Sequence, residues 1–261
     1  DGHTSAVKAL AFLPNNLGYA SSDDSGTTLV WNSGGQIVHK LAGGGSSSLA
    51  VSPDGQMLAA GTMNGRSDSV GLAEAAALFL WKQDGSLLRK IFLPAGVASL
   101  AFSPDSRHLL TGSYDDTLRV WSLTSGRETP ERAIAGREGR IETVAWSPDG
   151  RYLAAGESGP NARLRVWEAD GKLLYEQIIA AENKTGGRGV TAVAFSPDSR
   201  LVAAAAEGAV VKIFNLQGAE IQTLADFSGS GIAGLAFSPD GRWIWVGSTE
   251  GKLILINLFK L

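Results

Sequence analysis

Cysteine is absent from the 261 residues, which excludes a disulfide scaffold and thiolate metal sites but leaves the compartment open. An excess of one charge is lacking too. The 23 Lys and Arg against 26 Asp and Glu give 23 − 26 = −3, with no block of like charges. Nucleic-acid backbones reward clustered Lys and Arg, so nucleic acid is not an expected ligand. No apolar stretch approaches the length of a membrane span and no signal peptide is visible. Membrane insertion is therefore not expected, and the cytoplasm is favoured. What is present is a chain 44% hydrophobic and 19% charged, which is globular rather than disordered. Its length suits one large all-β domain or two average ones.

A Ser-Pro-Asp element recurs along the chain. It reads AFLPNN at 11–16, AVSPDG at 50–55, AFSPDS at 101–106, AWSPDG at 145–150, AFSPDS at 194–199 and AFSPDG at 236–241. After each comes a strand-like run such as 109-LLTGS-113, then a second ending in Trp31, Trp81, Trp121, Trp167, Phe214 or Ile256. A Gly-containing turn and a fourth run such as 172-KLLYEQII-179 follow in the first five copies. Four short strands per unit of about 40–45 residues is the signature of a propeller blade. Pro fixes φ and Asp-Gly accepts the turn geometry, so the element closes the hairpin between strands a and b. The aromatic near the end of strand c is expected between neighbouring sheets. A single blade cannot bury both faces, so the units must stack. The expected fold is an all-β propeller of six four-stranded blades in one domain, at about 1–42, 43–93, 94–136, 137–180, 181–226 and 227–261.

These turns resemble those of the WD-repeat β-propeller family, as do Val-Trp-Asn, Leu-Trp-Lys, Val-Trp-Ser and Val-Trp-Glu in place of Trp-Asp, and the pair Gly2-His3. The resemblance covers essentially the whole chain, and the SPDG-rich form is similar to bacterial propellers, often fused to signalling or protease-like domains. It implies a buried tetrad of His, Ser or Thr, Trp and Asp. No copy has Asp directly after Trp and only the first has the His, so the tetrad is expected to be incomplete everywhere. The first copy keeps His3, Ser21 and Trp31 with Asp24 near the expected place, and the third keeps Thr111, Asp115 and Trp121. The sixth copy has no fourth strand, and Asp1-Gly2-His3 matches the loop that follows one. A strand upstream is therefore expected to complete the last blade, and a seventh blade beyond either end stays open.

Candidate chemistry is sparse. Asp23-Asp24 and Asp115-Asp116 look like paired carboxylates, but they sit in b–c turns, where Asp caps its own backbone. His39 and His108 have no second ligand at metal spacing. The runs 43-GGGSSS-48 and 185-TGGRG-189 lack the Lys-Ser/Thr and following helix of a phosphate loop. The innermost strands open on Val7, Val97, Ile141, Val190 and Ile232, all apolar. No catalytic, metal or cofactor site is expected. Trp243 and Trp245 share one face of the sixth blade and are expected to pack against a neighbouring blade, the alternative being that they cover the clasp or contact a further domain.

Function is expected where the copies differ. From the small residue of strand b to the strand-c aromatic the count is ten in four copies, as from Ser21 to Trp31. It is twelve from Ala155 to Trp167 and twenty-one from Ala60 to Trp81. The second copy thus holds an insertion in 62-TMNGRSDSVGLAEAAA-77, whose Ala-rich end suits a helical turn. The longest connection between copies contains 180-AAENKTGGRG-189. By the family's geometry these segments and 157-ESGPNA-162 emerge on one face, and variable loops on a rigid scaffold are where binding usually lives. The reading is a non-catalytic scaffold for protein or peptide partners, one module of a larger polypeptide. Its expected contacts are Arg66, Asp68, Glu74, Arg137, Glu138, Arg140, Glu157, Lys184 and Arg188, charges of mixed sign suited to steering. The alternatives are a regulatory or autoinhibitory propeller attached to a catalytic domain, and a propeller enzyme with a channel-mouth site.

Overall fold

The computed structural model describes residues 2–43, 46–62, 76–136, 139–180, 189–206, 210–224 and 231–258. They form two compact units, Asp1–Asp115 with Arg119–Ala133, and Asp116–Leu118 with Ile134–Leu261.

Apart from residues 116–118 and 134–135, unit one comprises three sheets. The first runs β1 (Val7–Leu13), β2 (Gly18–Asp23), β3 (Thr27–Asn32) and β4 (Ile37–Ala42). The second runs β5 (Ser46–Val51), β6 (Met57–Thr62), β7 (Ala76–Lys82) and β8 (Leu87–Leu93). The third runs β9 (Val97–Phe102), β10 (His108–Ser113), β11 (Thr117–Ser122) and β12 (Arg132–Ala135).

Unit two comprises the other three. The fourth runs β13 (Ile141–Trp146), β14 (Tyr152–Glu157), β15 (Ala162–Glu168) and β16 (Leu173–Ala180). The fifth runs β17 (Val190–Phe195), β18 (Leu201–Ala206), β19 (Val210–Asn215) and β20 (Glu220–Leu224). The sixth has three strands, β21 (Ile232–Phe237), β22 (Trp243–Ser248) and β23 (Leu253–Asn257). Each strand pairs only with its sequence neighbours, the meander of a propeller blade. The chain is all-β with the propeller fold, and the described residues hold one short 3₁₀ turn, Pro14–Asn16, and no α-helix.

The hairpin turns show why Ser stands in the repeat. In Ser52-Pro53-Asp54 the Ser52 hydroxyl donates to the Asp54 carboxylate at 2.6 Å and accepts the Met57 N–H at 2.9 Å. Ser103, Ser147, Ser196 and Ser238 repeat both bonds. Each of these serines is buried, so its hydroxyl must be satisfied from within the turn. The position after Asp is left-handed in every copy, at Gly55, Ser106, Gly150, Ser199 and Gly241. Where it is Ser, the hydroxyl accepts an N–H from the preceding turn, Asp54 to Ser106 and Asp149 to Ser199, both at 3.1 Å.

Strand b is central in its sheet and covered on both faces, so apolar residues run continuously there instead of alternating. MLAAGT, YLAAGE and LVAAAA are buried after their first residue. Ala is a poor strand former, but its size lets sheets approach closely. Gly61 and Gly156 carry this further, since a Cβ would meet Val97 at 2.6 Å and Val190 at 2.5 Å. The first residue of one sheet thus seats on the second strand of the sheet before it. Trp81, Trp121 and Phe214 join inter-sheet clusters, Trp121 among Leu80, Ile91 and Leu109. Ala76 and Ala77 begin β7 and are buried. At these two residues the helical turn expected of the Ala-rich end is a strand start, because strand pairing and burial override Ala's helix preference, while 73–75 lie outside the described residues.

Candidate functional site

The fourth sheet brings three irregular segments together at one end. Between β14 and β15 the connection is residues 158–161, one longer than residues 114–116 of the third copy. The Ser158 N–H donates to the Arg140 carbonyl at 2.8 Å, and its hydroxyl donates to the Glu142 carboxylate at 2.9 Å. Glu142 falls in a register shift between Ile141 and Thr143, a bulge that re-aims the residue inside it. Gly139 and Gly189 close the cluster. A Cβ on Gly139 would overlap the Ser158 carbonyl, and one on Gly189 would overlap the backbone of Glu157 and Ser158. The chain entering β13, the turn leaving β14 and the chain entering β17 therefore meet at a backbone approach that only glycine permits. Arg140, Gly159 and Pro160 are exposed there.

Charges are buried beneath this cluster. Glu157 and Arg165 are 2% and 3% exposed. Arg165 Nη1 stands 3.1 Å from Glu157 Oε1, and its Nε stands 3.4 Å from Glu176 Oε2. Arg163 Nη1 reaches Glu176 Oε1 at 3.3 Å. The two contacts of Arg165 are at ion-pair distance without hydrogen-bond alignment, and its Nε and Nη2, Glu157 Oε1 and Glu176 Oε2 have no hydrogen-bond partner among the described residues. Burial pushes the Glu157 carboxyl up to about 7, against the pull of Arg165. Desolvation of the charge outweighs the pair's attraction there.

Of the contact residues read from the sequence, Arg140 lies at this cluster and is exposed. Glu157 requires correction. It is buried at the end of β14 and faces Arg165 rather than the surface, because it ends a strand covered on both faces. Arg66, Asp68, Glu74, Arg137, Glu138, Lys184 and Arg188 lie outside the described residues. The insertion in the second copy is pinned at its root, where the Ala77 N–H donates to Thr62 Oγ1 at 2.8 Å. Trp245 also departs from expectation, being 41% exposed beside Leu255 rather than packed away.

The tetrad of the first sheet is complete, contrary to the expectation, and its acid is Asp23 rather than Asp24. Trp31 Nε1–H donates to Ser21 Oγ at 2.8 Å, Ser21 Oγ meets His3 Nε2 at 2.6 Å, and His3 Nδ1 meets Asp23 Oδ2 at 2.7 Å. A carboxylate only accepts, so His3 donates through Nδ1 and takes the Ser21 hydroxyl at Nε2. The other Asp23 oxygen accepts the Ser25 N–H and hydroxyl and the Thr27 N–H. Burial alone would raise this carboxyl. The hydrogen bonds from Ser25, His3 and Thr27 overcome it and hold the pKa at about 2. Asp24 turns outward to Lys8 at 3.1 Å. In the third sheet Trp121 Nε1–H donates to Thr111 Oγ1 at 2.9 Å. Asp115, expected to complete that set, is instead gripped by both nitrogens of Arg119 at 3.1 and 2.7 Å.

The reading of the sequence passed over Arg165, Arg163 and Glu176. A signal was available two residues before the strand-c aromatic. That position is Leu29, Phe79 and Ile254 in three copies but Arg119, Arg165 and Lys212 in the others. Each of these cations faces a carboxylate, Lys212 with Glu220 at 3.0 Å. Among the described residues no group of three or more His, Cys, Asp or Glu side chains is placed to hold a metal ion.

Residues 1–32, 85–122 and 128–168 match the WD domain, G-beta repeat, and residues 193–260 match the anaphase-promoting complex subunit 4 WD40 domain. The chain is similar to Periodic tryptophan protein 2 of Arabidopsis thaliana, 26% identical over 235 residues, covering 82% of this chain and 25% of that protein. It is also similar to Small ribosomal subunit protein RACK1y of Oryza sativa subsp. japonica, 30% identical over 182 residues, 66% of this chain and 50% of that one. A third relative is Transcription initiation factor TFIID subunit 5 of Caenorhabditis elegans, 29% identical over 141 residues, 52% and 20% of the two chains. The chain thus spans between a fifth and a half of the length of these relatives.

Proposed function

We propose that this WD-repeat chain is a non-catalytic platform for a protein or peptide partner, bound at the end of the fourth sheet where residues 139–140, 158–161 and 189 meet. The observation that carries this reading is the convergence itself. Segments that depart from the repeat are packed on one another, while the Ser-Pro-Asp turns are uniform across five copies. A scaffold that keeps its turns constant and varies one set of connections displays a surface rather than a reacting group. The names of the relatives agree in kind: a small ribosomal subunit protein and a TFIID subunit are parts of larger assemblies. The contacts expected at Arg66, Asp68, Glu74, Arg137, Glu138, Lys184 and Arg188 stay part of this proposal on the sequence alone. The bacterial SPDG-rich subtype and a signalling role rest on the turns alone, since the relatives named above come from plants and an animal.

The test replaces Ser158–Asn161 by a three-residue turn, the length used in the third copy, and in a second variant makes Arg140→Ala. An added amine-reactive crosslinker, which needs no residue of the replaced turn, then reports the partner taken from an extract of the source cells. Loss of the crosslinked band in both variants, with melting temperatures unchanged, is the expected result. Equal recovery from wild type and variants overturns the site.

A further inference from the structure

Three pairs of neighbouring sheets, each pair within one unit, lock together by one repeated contact. The innermost strand of the later sheet presents three apolar residues to the sheet before it. In the third sheet these are Val97, Leu100 and Phe102, packed in one cluster with Ala59, Leu78 and Leu80 of the second. In the fifth they are Val190, Val193 and Phe195, with Ala154, Leu164 and Val166 of the fourth. In the sixth they are Ile232, Leu235 and Phe237, with Ala203, Val211 and Ile213 of the fifth. The register is the same each time. The first residue pairs with the end of strand b across a bulge, and the receiving Ala pairs with the second receiving residue of strand c.

Both halves of this contact also stand exposed. On the first sheet Val7, Leu10 and Phe12 hold the register of Val97, Leu100 and Phe102. Val7 is exposed, and Leu10 and Phe12 are 67% and 86% exposed. On the sixth sheet Trp245, Leu253 and Leu255 hold the places of Ala59, Leu78 and Leu80. Leu253 and Leu255 are 67% and 43% exposed, where Leu78 and Leu80 are buried. Glycine marks the same difference. Gly61 and Gly156 have no room for a Cβ because Val97 and Val190 fill the space. A Cβ on Gly247, their counterpart in the sixth sheet, would meet only the Gly234 carbonyl at 3.9 Å among the described residues. The seat is formed and open.

Apolar faces left to water favour association, and the repeat shows what this seat accepts. We propose that the sixth sheet receives Val7, Leu10 and Phe12 of a second copy of this chain. Val7 supplies the β-branched side chain that sits on Gly61 and Gly156 in the filled seats, and Leu10 and Phe12 repeat the Leu and Phe of the third and sixth sheets. Two different surfaces meet, so copies add head to tail. Trp245 is larger than the Ala found at its place in the filled seats. It holds the two sheets further apart, so the association is weaker than the contacts within a unit and depends on concentration. This inference does not rest on the platform reading, and its test leaves the fourth sheet untouched.

Sedimentation velocity of the whole chain over about 1–200 µM, the range of weak specific contacts, should show reversible growth from the monomer. Leu10→Glu spoils the inserting face and Leu253→Glu spoils the seat. Both positions are exposed, so melting temperatures should hold. Each variant alone should associate at least about tenfold more weakly. Mixed in equal amounts they should form a dimer and nothing larger, because one keeps the seat and the other keeps the inserting strand. Gly247→Val, which fills the seat, and Phe12→Ser stand in where Leu253→Glu or Leu10→Glu does not fold. The proposal is overturned by a wild type that stays monomeric throughout or by variants that associate as the wild type does. A mixture that stays monomeric, or that grows past the dimer, overturns it too.

Discussion

Asp23 and Glu157 occupy the same place in the repeat, the last residue of strand b in the first and fourth sheets, and both are buried. Their surroundings push them in opposite directions. Asp23 meets a prepared set of donors and is held at about 2. Glu157 meets a guanidinium at ion-pair distance, its Oε1 receives no hydrogen bond among the described residues, and burial carries it up to about 7. A buried carboxylate is governed less by the charge beside it than by how many hydrogen bonds its oxygens receive. The first network is a satisfied clamp. The second is a charged one whose stability depends on keeping all its members.

The largest effect expected is therefore in the fourth sheet. Arg165→Met leaves the buried Glu157 without its cation, while Glu176 keeps Arg163, and should cost about 3–5 kcal/mol by urea unfolding. Adding Glu157→Gln should restore much of it, and strictly additive losses would show that the two charges are not coupled. Next comes the clamp. Ser21→Ala orphans both Trp31 Nε1 and His3 Nε2 and should cost about 2–3 kcal/mol, whereas Thr111→Ala in the third sheet orphans only Trp121 Nε1 and should cost about 1–2 kcal/mol. Equal losses would remove the distinction between a complete and a partial set.

The two carboxylates also predict opposite pH slopes. The folded pKa of Asp23 lies below its ordinary 3.8, so its contribution is present above about 4 and is lost as pH falls towards 2. The folded pKa of Glu157 lies above its ordinary 4.5, so the folded chain holds the extra proton and stability declines as pH rises from about 4.5 to 7. Each contributes on the order of 1–3 kcal/mol. Chemical denaturation across pH 2–8 should show the upper slope vanish in Glu157→Gln and the lower one in Asp23→Asn. A slope near neutrality that survives in Glu157→Gln would assign it elsewhere. The smallest effect concerns the turns. Ser199→Ala loses the bond from the Asp149 N–H and should cost about 1 kcal/mol. Ser199→Gly loses the same bond but relieves a left-handed backbone at φ 58° and should be nearly neutral. A glycine variant as damaged as the alanine one would show that the backbone there is not strained.

The strand pattern, the six hairpin turns and the inter-sheet aromatics were legible in the sequence because each recurs in phase and has a local cause. The acid of the clamp was not legible. Asp23 and Asp24 are adjacent and chemically alike, and only the strand's alternation decides which turns inward to His3 and which outward to Lys8. Glu157 was misread for the same reason. In a list of residues it opens an irregular loop, but in the sheet it closes a buried strand. The exposed Trp245 defeated a general expectation about tryptophan, since exposure depends on whether another sheet covers that face.

What the sequence by itself determined is the architecture: periodic apolar runs and turn residues specify hairpins locally, and six copies of one unit specify a stack of sheets. What only the tertiary structure decided is the state of the buried charges and the contacts across long separations. These include Gly139 and Gly189 against Ser158 and its neighbour Glu157, and Val97 and Val190 against Gly61 and Gly156. Local pattern fixes which elements form. Desolvation, hydrogen-bond supply and the space left by a smaller side chain exist only once those elements are packed.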